Sequence, residues 1–186
     1  MKKIYTLLAQ IISWTFNPLV MVGVLLGVVG IKFPGNNHVV TAGFLILAFI
    51  FIILVYGVKK GWFSDFELTL RHERHFLNGI ILLLGAPLFF LVSGNSFSYY
   101  AIFYVWLVIF SLITLWWKIS GHTGVFTLVF ILLNHIFVGM LWWLIVLVPI
   151  LAWSRVVLKK HTLFQVIGGI LFSGIIGWGG IVLGRL

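Results

Sequence analysis

No cysteine occurs in the 186 residues, which excludes disulfide staples, thiolate nucleophiles, c-type haem attachment and iron–sulfur ligation. Acidic residues are almost as scarce, with three Asp and Glu against twelve Lys and Arg and a formal net charge of +9. Charged residues of both signs make up only 8% of the chain, where an average soluble domain has roughly 25%. That leaves too little polar sequence to cover a water-facing core, so a soluble globular domain, a disordered tail and a fibrous repeat are set aside. No repeat period is present either.

What is abundant is apolar. Hydrophobic residues account for 62% of the chain, with 18 Phe and 9 Trp, and the mean hydropathy is +1.22. At about 20 apolar residues per crossing, the hydrophobic runs supply six or seven spans and almost nothing outside the bilayer. The expected fold is an all-α, polytopic transmembrane helix bundle forming a single integral membrane domain over residues 1–186. In such a protein the cationic excess reads as topology and as attraction to anionic lipid headgroups, not as a nucleic-acid surface. The start, Met1-Lys2-Lys3 followed by apolar residues, imitates a signal peptide, but the apolar run continues to Ile31 without a small-x-small cleavage site, so a retained first helix is expected.

Run lengths predict seven segments. The first covers about 11–31, with a kink at Asn17-Pro18 and a Gly23/Gly27 packing surface. The second, about 39–58, ends at Lys59-Lys60, and the third runs from about 77 to 92. A turn over Ser93-Gly-Asn-Ser-Phe-Ser98 joins it to the fourth, 99–117, as a hairpin. Beyond Lys118–Gly124 a stretch reaching Leu158 is too long for one crossing, and a split at Val138-Gly139-Met140 makes it the fifth and sixth segments. The seventh, about 163–183, is rich in glycine, which predicts close helix packing.

In that layout residues 59–76, 118–124 and 154–162 emerge on one membrane face. The face collects ten of the twelve cations, leaving Lys32 and Arg185 opposite, and the positive-inside bias makes it cytoplasmic. Its polar clusters hold Arg71 and Arg74 one helical turn apart, then Ser120-Gly121-His122, then Ser154-Arg155 with His161 six residues on. Guanidinium forks match phosphate oxygens, one imidazole can attack phosphorus, and a second can protonate a leaving oxygen. The combination suits a phosphoester and requires no metal or other cofactor.

Ser120-Gly121-His122 with Thr123 resembles the PSGH signature of the type 2 phosphatidic acid phosphatase superfamily of membrane lipid phosphatases, and Ser154-Arg155 followed by His161 resembles that family's SRxxxxxHxxxD. Its KxxxxxxRP signature is matched only by Arg71 and Arg74: Glu67 stands where the Lys belongs and His75 where the Pro belongs. The resemblance covers about residues 65–169, inside an expected catalytic core of about 59–184. It implies His161 as nucleophile through a phosphohistidine, His122 as the acid for the leaving oxygen, and Arg74 and Arg155 as holders of the phosphoryl oxygens. Arg71 would replace the missing Lys, Ser120 and Gly121 would add neutral donors, and Lys118 is a further phosphate-binding candidate. The substrate class implied is a lipid phosphate or isoprenoid diphosphate entering laterally from the bilayer.

The family's Asp after the nucleophile is Gln165 here. A Gln carbonyl can fix the His161 tautomer but stabilises a positive imidazole poorly. Thr162-Leu-Phe-Gln165 also fits a capping box, so Gln165 either orients His161 or closes back on the Thr162 backbone. Two other functions stand beside the phosphatase: a relative that binds lipid phosphate without turnover, and a small transporter, which lacks a carboxylate within any span. His135 lies roughly 20 Å along a helix from His122, so Asn134 and His135 are expected to make an interhelical hydrogen bond. Asp65, His72, Glu73 and His75 have metal-ligand chemistry but no enforcing spacing.

Overall fold

Apolar runs this long can satisfy their backbone in a nonpolar solvent only as helices, and the computed structural model contains helices and no strand among its described residues, 2–68, 70–92 and 96–184. Ser93–Asn95 of the expected turn, Arg185 and the side chain of Arg71 lie outside the described residues. The helices are α1 (Lys2–Thr15), α2 (Pro18–Lys32), α3 (Asn37–Lys59), α4 (Arg71–Leu91), α5 (Ser96–Trp116), α6 (Gly121–Ile136), α7 (Leu147–Val157) and α8 (Leu163–Gly184), with short 3-10 turns at Pro34–Asn36 and Trp142–Val146. Among the described residues five stretches are long and apolar enough to cross a membrane: Lys3–Lys32, Pro34–Lys59, His72–Leu91, Ser98–Trp116 and Leu163–Gly184. Two more apolar helices, Gly121–Ile136 and Trp142–Val157, are shorter. The all-helical, membrane-type architecture stands, with five described helices of spanning length and two shorter apolar ones.

Boundaries move for local reasons. The first segment begins at Lys2, not near residue 11, and the Asn17-Pro18 kink is a break between two helices. Pro18 opens α2, where its missing N–H costs nothing, and Asn17 caps it: its side-chain oxygen accepts from Leu19 N–H at 2.9 Å and its carbonyl from Met21 N–H at 3.0 Å. The third segment begins at Arg71, six residues before its apolar run, because buried Glu73 ties down the preceding loop. Its carboxylate accepts from Ser64 N–H at 2.5 Å, Ser64 hydroxyl at 2.8 Å and Leu70 N–H at 3.4 Å.

The chain divides into two compact units, Met1–Leu25 with Lys118–Leu186, and Leu26–Trp117. In the second unit α4 and α5 form the expected antiparallel hairpin. Tyr100 donates its hydroxyl to Gly85 carbonyl, Tyr104 to Leu82 carbonyl at 3.2 Å, and His75 Nε2 meets Thr114 carbonyl at 3.1 Å.

In the first unit α6 is the central element, buried at every residue from His122 to Asn134. It runs parallel to α8: Ser120 pairs with Gln165 at one end, and Leu128 and Ile131 meet Gly177 further along. The buried face of α8 is Val166, Gly169, Ser173, Gly177 and Ile181, and its three small residues, Gly169, Ser173 and Gly177, stand four apart and let two backbones approach. Gly174 and Gly179 face open space. The reversal after α6 falls at the expected Val138-Gly139-Met140, with φ of 52° at Val138 and 80° at Gly139. Asn134 closes it, its side-chain oxygen accepting from Leu141 N–H at 3.1 Å. The bond is local and not interhelical, which corrects the expectation for that residue. It satisfies a backbone donor that the chain reversal takes out of the helix ladder.

Candidate functional site

Three helix ends meet at one end of the first unit. α6 starts there with Ser120 as its N-cap, in extended conformation at φ −81° and ψ 112°, its hydroxyl oxygen accepting from Thr123 N–H at 3.4 Å. That role uses a lone pair and leaves the hydroxyl proton available to donate. Gly121 opens the helix, so its N–H belongs to the first turn, where no intrahelical acceptor exists. His122 follows and is buried.

α7 ends at the same place, and the way it ends explains the spacing between Arg155 and His161. Lys159 adopts the left-handed conformation at φ 55°. Its N–H donates to Val156 carbonyl at 2.9 Å and that of Lys160 to Arg155 carbonyl at 3.1 Å. This pair of bonds is a Schellman termination. His161 N–H then reaches the same Arg155 carbonyl at 3.4 Å, so the backbone of the arginine and that of the histidine are locked together by the helix end. Ser154 is fully buried and donates its hydroxyl to Leu151 carbonyl at 2.7 Å, a packing role within α7. Arg155 is 1% exposed, and its Nη1 donates to the hydroxyl of Ser13 on α1.

α8 begins one residue after Thr162, and here the two alternatives for Gln165 prove to be one arrangement. Gln165 N–H donates to Thr162 Oγ1 at 3.3 Å, and Gln165 Oε1 accepts from Thr162 N–H at 3.1 Å, the reciprocal bonds of a capping box. The same Oε1 lies 3.2 Å from His161 Nδ1. A backbone N–H can only donate, so the amide atom facing it is the oxygen. That oxygen can only accept, so His161 Nδ1 carries a hydrogen, and Nε2 is the basic nitrogen of the neutral ring.

Two hydrogen bonds join the α6 and α8 starts. Ser120 N–H donates to Gln165 carbonyl at 3.1 Å, and Thr123 hydroxyl to Val166 carbonyl at 3.2 Å. Gly169 makes this approach feasible: a Cβ there would stand 2.7 Å from Ser120 carbonyl oxygen and 2.8 Å from Thr123 Oγ1. The SGH and SR…H segments, 32 residues apart between Gly121-His122 and Ser154-Arg155, thus belong to one end of one unit. Two helix N-termini, each carrying a positive partial charge, lie at that end, an environment that favours an anion. The first unit contains no Asp or Glu, all three acids being Asp65, Glu67 and Glu73.

Of the other candidates, Lys118 is half-buried in the extended segment before α6, and Arg71 and Arg74 lie in the first turn of α4 in the second unit, Arg74 half-buried. Among the described residues no three of His, Cys, Asp and Glu gather as a metal site. Of the four acidic-loop candidates, Glu73 is taken up by Ser64 and Leu70 and His75 by Thr114. Residues that sequence reasoning passed over are Ser13, Thr123 in its contact with α8, and Gly169. The only sequence signal for them was the small-residue spacing of α8; a hydrogen bond across 142 positions has none. Compared with protein-family models, with curated proteins and with solved structures, the chain matches none.

Proposed function

We propose that this chain is a membrane phosphohydrolase that removes phosphate from a lipid phosphate or diphosphate through a phosphohistidine on His161. The observation that carries the reading is the Gln165 oxygen bonded at once by Thr162 N–H and His161 Nδ1, because it presents Nε2 as a lone pair on a fixed ring. In the first step that lone pair forms a bond to phosphorus while the bond from phosphorus to the lipid oxygen breaks, and protonated His122 gives its proton to that oxygen. In the second, water attacks phosphorus, His122 takes the water's proton, and the N–P bond returns its electrons to Nε2. Arg155, with Lys118 of the same unit as a further cation, holds the phosphoryl oxygens. Ser120 hydroxyl and Gly121 N–H act as neutral donors where charge builds. The membrane-length helices support a substrate that arrives from the lipid phase, and a cytoplasmic site follows from the positive-inside bias.

Gln165 also favours a second reading, a binder of lipid phosphate without turnover, since a neutral amide gives an imidazolium less help than the family's carboxylate. One experiment separates the two. Purified protein is offered a panel of phosphatidic-acid-like lipids and isoprenoid diphosphates, and released phosphate is measured for the wild type and for His161→Ala. Release that His161→Ala abolishes supports the phosphatase; binding with no release supports the binder; equal release from both proteins rules out His161 as nucleophile.

A further inference from the structure

We infer that the α6–α7 hairpin turns back inside the membrane: its tip, residues 138–145, is immersed in the far leaflet with lipid acyl chains as its partner, in place of the two full crossings expected from run length. The inference is independent of the phosphatase reading, since the two ends of the hairpin share a face whether it crosses or turns back. The hairpin is too short to cross. α6 has 16 residues and rises about 24 Å, and the return through the five-residue 3-10 turn and the 11-residue α7 covers about 26 Å, against a hydrocarbon core of about 30 Å. Lys118 before α6 and Lys159-Lys160 after α7 hold its open end near the headgroups. On the returning side Trp142 stacks on Trp178 of α8, ring centroids 5.7 Å apart and planes at 9°, and meets buried Phe130 of α6 edge to face, also at 5.7 Å. α8 still has Gly179–Gly184 to run beyond Trp178, so the 3-10 turn is fastened short of the end of a helix of spanning length.

The side chains and the backbone of the tip both suit hydrocarbon. From Ile136 to Trp153 there is no charged, amide or hydroxyl side chain, although the chain reverses inside that run, where Gly, Asn, Asp and Ser ordinarily supply a turn. Val138 is 90% exposed, Met140 76% and Trp143 70%. Val138 also sits at φ 52°, a left-handed conformation that a β-branched residue disfavours, so neither backbone preference nor packing within the chain accounts for an apolar residue there. Contact with acyl chains does. A reversal in water can leave its amides to solvent, whereas one in hydrocarbon must satisfy them internally. Every N–H from Phe137 to Trp142 donates within the hairpin: Phe137 to Leu133 carbonyl at 2.9 Å, Gly139 to Asn134 carbonyl at 2.7 Å, Met140 to Phe137 carbonyl at 3.1 Å and Leu141 to the Asn134 side-chain oxygen at 3.1 Å, with Val138 and Trp142 donating to the His135 and Gly139 carbonyls. Asn134, itself buried, thus serves a backbone donor that has no water to turn to.

The test places a nitroxide label on the full-length protein through Met140→Cys or Trp143→Cys, attached in detergent, and returns the protein to phosphatidylcholine vesicles; no native thiol competes for the label. Electron paramagnetic resonance then reads collisions of the label with oxygen, which concentrates in hydrocarbon, and with a neutral nickel chelate, which stays in water. Labels at 140 and 143 are expected to keep the oxygen collisions and lose the nickel ones, while a label at Asn37→Cys, exposed in the polar turn before α3, keeps the nickel collisions. Both tip substitutions replace exposed side chains; should one variant fail to fold, the other decides. Nickel collisions at the tip equal to those at position 37 place it in water and overturn the inference. Loss of both kinds of collision means that protein, such as a second copy of this chain, covers the tip, and overturns it as well.

Discussion

Gly169→Ala is the smallest change that should separate the two histidine-bearing helix starts. The added Cβ would stand 2.7 Å from the Ser120 carbonyl oxygen and 2.8 Å from Thr123 Oγ1, with Gly124 N at 3.4 Å. Two of those three atoms are backbone, so no rotamer change relieves the clash and α6 must move away from α8. A displacement of about 0.4 Å would stretch the Ser120 to Gln165 bond from 3.1 Å to the edge of hydrogen bonding. Overpacking of this kind costs about 1–3 kcal/mol, offset by about 1 kcal/mol from the better helix propensity of alanine, for a net loss of up to about 2 kcal/mol. Gly174→Ala on the same helix meets nothing within 4 Å and carries the propensity gain alone. Unfolding of both variants in detergent, with hydrogen exchange at the Ser120 amide, reads the difference directly. Equal stability of the two variants, with Ser120 protection unchanged, would refute the packing argument.

Two further outcomes follow from the same geometry. Gln165→Leu removes the acceptor of both Thr162 N–H and His161 Nδ1, so it should lose about 1 kcal/mol of stability and also slow phosphate release per folded molecule, whereas isosteric Gln165→Glu should keep the cap and raise turnover by stabilising a positive His161; an unchanged specific rate in both removes the orienting role. Single cysteines at Lys60 and Lys159, in a chain with no native thiol, should react with a membrane-impermeant maleimide from one side and a cysteine at Asn37 from the other; opposite labelling of positions 60 and 159 would contradict the topology expected from the positive-inside bias.

What the sequence made legible was set by hydrophobic run length and by punctuation. The α3, α5 and α8 spans, the Asn17-Pro18 interruption, the Gly139 reversal and the Thr162–Gln165 box all follow from local rules. The start of α1 was missed because Lys2, Lys3, Thr6 and Gln10 dilute its apolar character, and that of α4 because its first turn, Arg71 to His75, is polar. Composition could not show that Glu73 would be consumed in organising residues 64–70. Seven glycines in or near α8 look alike in sequence, yet Gly169 and Gly177 face α6 while Gly174 and Gly179 face open space. Gln165 posed a choice in one dimension that three dimensions remove, since a single amide oxygen reaches both the Thr162 backbone and the His161 ring. Ser13 was beyond reach for a plain reason: nothing local marks a serine whose partner is on another helix.

The central claim is that phosphate passes through His161. Protein mixed with a lipid phosphate labelled in its phosphoryl group, quenched in denaturant at alkaline pH and digested for mass spectrometry, tests it most directly. The account predicts a labelled peptide containing residues 161–165 with phosphate on His161, absent from His161→Ala and accumulating in His122→Ala if the second step slows more than the first. Sustained phosphate release with no label on His161, or undiminished release by His161→Ala, would contradict it.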